Sequence, residues 1–155
     1  MHVTHAVTMN GHIHGELKDS EDTCEEVLRK RLALLDGSTR YAFSLWRLPD
    51  GVRFDRVDLG RWPQEFLQVA GSRDRMTVEV RQVVAGQPKQ YVVGHRQSGE
   101  NVAVDQIRIP WNGHSVQVSS SEVFDATEAG EIFGAYYRTG RVPDEYVLRV
   151  LGFES

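Results

Sequence analysis

The chain has a single cysteine, Cys24, which excludes an intramolecular disulfide framework and fits a reducing compartment. No apolar run approaches the ~20 residues needed to span a bilayer, and the N-terminus lacks the apolar core of a signal peptide. A soluble cytoplasmic protein without membrane contact is the expectation. Lysine is scarce: Lys18, Lys30 and Lys89 are the only three among 18 basic residues, and 22 acids outnumber them to give a net charge of −4. A nucleic-acid binder usually shows a basic excess or stripe, so direct nucleic-acid binding is disfavoured. An acidic chain suits a partner that is itself basic. Motifs with a known mechanism are also missing: there is no phosphate-cradling glycine loop, no strand–turn–serine elbow and no paired-cysteine metal motif. No cofactor is implied.

What is present is an ordinary globular composition, 40% apolar and 26% charged, which is enough apolar residue for a core. No repeat, linker or low-complexity segment divides the chain, so residues 1–155 are expected to form one domain.

The clearest element is a helix over residues 125–140. Asp125 and Glu128 have the spacing of a capping box, and Ala129, Ile132, Phe133, Tyr136 and Tyr137 make one apolar face. Gly140 can end the helix in a left-handed conformation, and Pro143 bars its resumption. Gly130 and Gly134 lie on another face, where they would let a neighbour approach closely. A first helix is expected over residues 20–35. Thr23 and Glu26 form its capping box, with Ser20 as an alternative cap, and Cys24, Leu28, Leu32 and Leu35 form its buried stripe. Its acids (Asp19, Glu21, Asp22, Glu25, Glu26) come early and its bases (Arg29, Lys30, Arg31) late, matching the helix dipole.

The remainder alternates like strands. Asn10-Gly11 between two extended runs predicts a hairpin with a two-residue turn. In that register Met9 faces His12, Val7 faces His14 and His5 faces Glu16, so His5, His12, His14 and Glu16 share one face with Val7 and Met9. His-x-His plus a carboxylate has the chemistry to ligate zinc or iron; the bland alternative is a packed or solvent-side histidine cluster. Residues 40–48 form a strand that turns at Pro49-Asp50-Gly51 into a second strand at residues 52–55. Residues 64–70 lean to strand, and residues 76–84, 90–96, 102–109, 115–118 and 146–151 supply the others. His95 and His114 each lack an evident carboxylate orienter nearby in sequence, which leaves no general base in view. Trp62 and Trp111 adjoin prolines in loop-like segments, where aromatic residues serve either as interface anchors or as caps of the core edge. The expected fold is α+β: a mostly antiparallel, twisted sheet with two main helices packed on one face.

The segment from Val118 to Leu151, with Phe124, Asp125, Tyr136-Tyr137, Thr139-Gly140, Pro143 and the strand at 147–151, resembles the C-terminal end of a family of small bacterial immunity proteins. These accompany polymorphic toxins of interbacterial competition, and the resemblance is closest to the group paired with nucleic-acid deaminase toxins. The strand at 91–99 and the N-terminal hairpin followed by a helix fit the same order; residues 48–74 have no counterpart. The resemblance implies a non-enzymatic toxin inhibitor, an antitoxin that blocks its cognate toxin's active site as a monomer in a 1:1 complex. No catalytic residue carries over. Charge and aromatic content then single out Asp19, Glu21, Asp22, Glu25, Trp62 and Trp111 as the toxin interface. The competing expectation is a metal-dependent enzyme or ligand-binding β-protein built on His5, His12, His14 and Glu16.

Overall fold

A computed structural model describes residues 3–18, 22–96 and 106–151, with Trp111 placed by its backbone. Nine strands and two helices alternate along it: β1 (His5–Met9), β2 (Ile13–Leu17), α1 (Cys24–Leu32), β3 (Ala42–Arg47), β4 (Phe66–Ser72), β5 (Arg75–Val84), β6 (Gln87–His95), β7 (Gln106–Trp111), β8 (His114–Ser119), α2 (Ala126–Thr139) and β9 (Tyr146–Val150). Seven strands form one antiparallel sheet in the order β2-β1-β3-β4-β5-β6-β9, and β7-β8 is a separate ribbon. The class is α+β, as expected. None of the helices described is long and apolar enough to cross a membrane.

The helices begin where the capping residues dictate. Thr23 and Glu26 exchange both bonds of a capping box at the start of α1. Asp125 accepts from the Glu128 amide at the start of α2, and Gly140 ends α2 at φ +76°. The two helices pack antiparallel: Arg138 at the end of α2 holds Glu25 at the start of α1, while Arg29 lies against Gly130. A Cβ on Gly130 would sit 3.0 Å from Arg29 Cγ, and one on Gly134 3.3 Å from Glu25 Oε2, so the glycine pair does admit a neighbour.

Both helices cover one face of the sheet. Val7, Phe43, Leu45, Leu67, Val69, Val78, Val80 and Val93 point into this core, against Leu28, Leu32, Ile132 and Phe133. Each large apolar side chain buried there contributes roughly 1.5–3 kcal/mol. The opposite face is partly covered as well. Ala6, Trp46 and Leu48 form a second small cluster under Phe54, Val57, Trp62 and Phe66. Residues 52–55 therefore do not return as a strand. β3 already has β1 and β4 on its two sides, and Phe54 instead begins a short 3-10 turn with its ring 6.5 Å from that of Trp46.

The first hairpin has a three-residue loop, not two. Met9 faces Ile13, Thr8 faces His14, Val7 faces Gly15 and His5 faces Leu17. One residue of slip moves every side chain of a strand to the other face. His5 thus lies on the helix-covered side, while His14 and Glu16 lie on the Trp46 side and His12 stands in the loop. The expected metal constellation is not assembled, and among the described residues no group of three His, Cys, Asp or Glu could hold a metal. Asn10 explains the slip. Its amide donates to Ala42 O at 2.8 Å, and its Oδ1 accepts from the amides of Tyr41 and Ala42, binding the turn to the start of β3.

Candidate functional site

Two clusters of chemically able side chains lie at opposite ends of α2. At its first turn, Glu128 reaches away from the backbone to which a reciprocal capping box would return it. Its carboxylate meets His95 Nε2 at 2.9 and 3.0 Å and accepts from the Tyr146 hydroxyl at 2.8 Å. His95 Nδ1 lies 2.8 Å from the Ser121 carbonyl, and the ring stacks on Phe124 at 4.4 Å. The carboxylate orienter missing near His95 in sequence is supplied 33 residues later, from the helix. Burial first, then the bond to Glu128, raises the Tyr146 phenol well above its ordinary value. Both ring nitrogens are thus engaged, Nδ1 with the Ser121 carbonyl and Nε2 with the Glu128 carboxylate. With each nitrogen engaged and Ser121 Oγ bonded to Ser119, the cluster joins β6, α2 and β9 instead of presenting a free base beside a nucleophile.

The second cluster surrounds the last turn of α2, where the ends of β1, β3 and β4 meet. Two concavities of about 430 and 570 Å³ share Glu65 and Gly140 and form one open trough. The smaller is walled by Arg47, Trp62, Tyr137 and Arg138, with His5 and Tyr136 beneath. The larger continues over β5 and β9 past Arg96, Arg141, Asp144 and Leu148. Trp62 is half-buried because it packs on the Trp46 cluster, which fixes its ring while leaving an edge to solvent. Tyr137 leans on His5 at 4.6 Å. His5 is only 4% exposed and its Nδ1 lies 2.7 Å from Thr4 Oγ1. Burial, with the nearby Arg47 charge, lowers its pKa to about 4, so the ring is neutral near pH 7. Burial, with Glu65 nearby, pushes the Tyr136 phenol up to about 12. Trp, Tyr and Arg held in a depression are the residue types that dominate binding energy at protein interfaces.

The expected interface residues separate in the structure. Trp62 lines the trough, and Glu25 reaches its rim through Arg138. Asp22 is paired with Lys30 at 2.6 Å, so these two acids are satisfied within the chain. Asp19 and Glu21 lie outside the described residues. Trp111 belongs elsewhere. The amide of Asn112, next to it, donates to Gly37 O, while Leu35 O accepts from Arg73 beyond the end of β4. Trp62 precedes the start of β4, so the two tryptophans flank opposite ends of a strand roughly 20 Å long. Sequence reasoning missed Arg47, Tyr137 and Arg138 as neighbours of Trp62. Only the i, i+1 pair Tyr137-Arg138, at the end of a helix whose apolar face was already evident, carried a signal. No protein-family model matches the chain, and no curated protein matches it.

Proposed function

We propose that this protein is an immunity protein that binds and neutralises a secreted bacterial toxin domain, one toxin domain per chain, in the cytoplasm of the producing cell. The observation that carries the reading is the trough at the end of α2, which Trp62 and Tyr137 line together with Arg47 and Arg138. Rigid aromatic anchors ringed by charge are suited to occluding a protein surface. The resemblance of residues 118–151 to immunity proteins of deaminase toxins supports the choice of partner. A toxin that acts on nucleic acid needs basic surface to hold phosphates. The charge complement to that surface is the net charge of −4 of the whole chain; the trough itself sets Asp50, Glu65 and Asp144 among Arg47, Arg96, Arg138 and Arg141, so its own contribution is aromatic and hydrogen-bonding. At the start of α1, Asp22 and Glu25 are paired with Lys30 and Arg138.

The test is co-expression with the protein encoded beside the gene, followed by purification and growth measurement. A stable complex that relieves toxicity is expected. A toxic neighbour that grows no better with this chain present, and does not co-purify, would overturn the proposal.

A further inference from the structure

We infer that the toxin segment seated in the trough is an extended strand, which adds to the sheet along the outer edge of β9; the inference rests on the immunity reading and names the form the toxin takes there. Among the described residues β9 is hydrogen-bonded on one side only, to β6. The Leu151 amide donates to Gln90 O, and the antiparallel register then turns the backbone groups of Arg149 and Val147 inward to β6 as well. The backbone groups of Leu148 and Val150 point outward, and so does the Tyr146 carbonyl. The Tyr146 amide is closed onto Pro143 O at 3.2 Å, in the turn that leads into the strand. Edge strands ordinarily blunt such a row with lysine, proline or a bulge. β9 has none of these, and its one charged residue, Arg149, is held by Glu122 in a two-pronged bond of 2.7 and 3.0 Å.

The place of this row in the trough selects the occupant. Tyr146 and Leu148 line the larger concavity with Gly140, Val142 and Pro143, and that concavity runs into the smaller one beside Trp62 through Glu65 and Gly140. A toxin segment anchored at Trp62 and following the trough is therefore led onto β9. β2, the other edge of the sheet, lines neither concavity. The open backbone groups select the form of the segment. A helix uses its own backbone groups internally, whereas a strand brings a free row that can meet those of Leu148 and Val150. The side chains agree with this choice. Alternation sets Leu148 and Val150 on the same face as Tyr146, where they are 39% and 59% exposed. The added strand accordingly presents alternate apolar residues to that face.

The test is amide hydrogen exchange of the full chain, alone and with the protein encoded beside its gene. The Leu148 and Val150 amides should slow at least roughly tenfold in the complex, while those of Val147 and Arg149 stay protected throughout. Calorimetric titration adds a second readout. Val150→Pro removes one outward N–H and leaves the bonds to β6 in place, so it should bind at least roughly tenfold more weakly with unchanged circular dichroism. Val150→Thr, which keeps that N–H, and Val116→Lys on β8 should bind like wild type. A complex that needs Trp62 and Arg47 while Leu148 and Val150 exchange freely would overturn this inference and leave the immunity reading standing. Absence of any complex would overturn both. Slow exchange of the two amides in the chain alone would also overturn it, placing a segment of this chain on the edge if independent of concentration and a second copy there if concentration-dependent.

Discussion

Acidification should destabilise the fold through one residue, His5. Its side chain is covered by Tyr137 and bonded to Thr4, and Arg47 stands directly opposite it across the β1–β3 ladder. Protonation would therefore place a buried cation beside a second cation. The pKa falls from 6.5 in the unfolded chain to about 4 in the fold. Between those values the unfolded chain binds a proton that the folded chain does not, so stability rises with pH across that window. The His5 contribution is fully present above about pH 6.5, is lost as pH falls towards 4, and is constant below. About 2.5 units at 1.36 kcal/mol each gives about 3 kcal/mol, an upper bound because the trough brings water within one side chain of the ring. Urea unfolding of wild type and His5→Gln at pH 7, 6, 5 and 4 isolates the effect, since titration of the carboxylates is common to both chains. The stability difference between the two should change by up to about 3 kcal/mol in favour of the variant on going from pH 7 to pH 4. Parallel pH dependences, or a His5 ring signal titrating near 6.5 by NMR, would refute the reasoning.

Three other expectations follow from the geometry. Arg47→Glu should leave the melting temperature within a few degrees, because the side chain is exposed, yet weaken toxin capture at least tenfold in a calorimetric titration if the trough is the interface. Gly71→Ala should cost more than about 2 kcal/mol in a denaturant melt, since φ is +130° and the new Cβ would fall 2.4 Å from the Arg75 carbonyl oxygen and 2.7 Å from Ile109 Cγ2. Glu128→Gln and Tyr146→Phe should each cost about 1–2 kcal/mol and together less than their sum, and a double-mutant cycle that is additive would rule out the Tyr146–Glu128 bond as a shared contribution.

Local chemistry made much of the fold legible. Thr23 with Glu26, Asp125 and Gly140 mark helix ends because orphan backbone groups there need partners within three residues, and the alternation of β5 reports a sheet with one well-covered face. The misreadings came where distant contacts overrode a local rule. Asn10-Gly11 favours a two-residue turn in isolation, but Asn10 is claimed by Tyr41 and Ala42, and the resulting slip dispersed the histidines. Residues 52–55 alternate because Val52 and Phe54 are half-buried, Phe54 over the Trp46 side of the sheet, not because they join the ladder. Glu128 has the spacing of a capping box, but its carboxylate is better used by His95 and Tyr146. The trough was the least legible feature. Arg47, Trp62 and Tyr137 are far apart in sequence and converge only because antiparallel pairing brings the end of β3 and the start of β4 to one edge of the sheet, beneath the end of α2.

The central claim is that the trough neutralises a toxin, and growth rescue tests it most directly. Cells expressing the neighbouring gene's protein should survive when wild type or Val116→Lys is supplied, and should die when the supplied chain is folded Arg47→Glu or Trp62→Ala. Equal rescue by all four chains, or a neighbour that is harmless on its own, would contradict it.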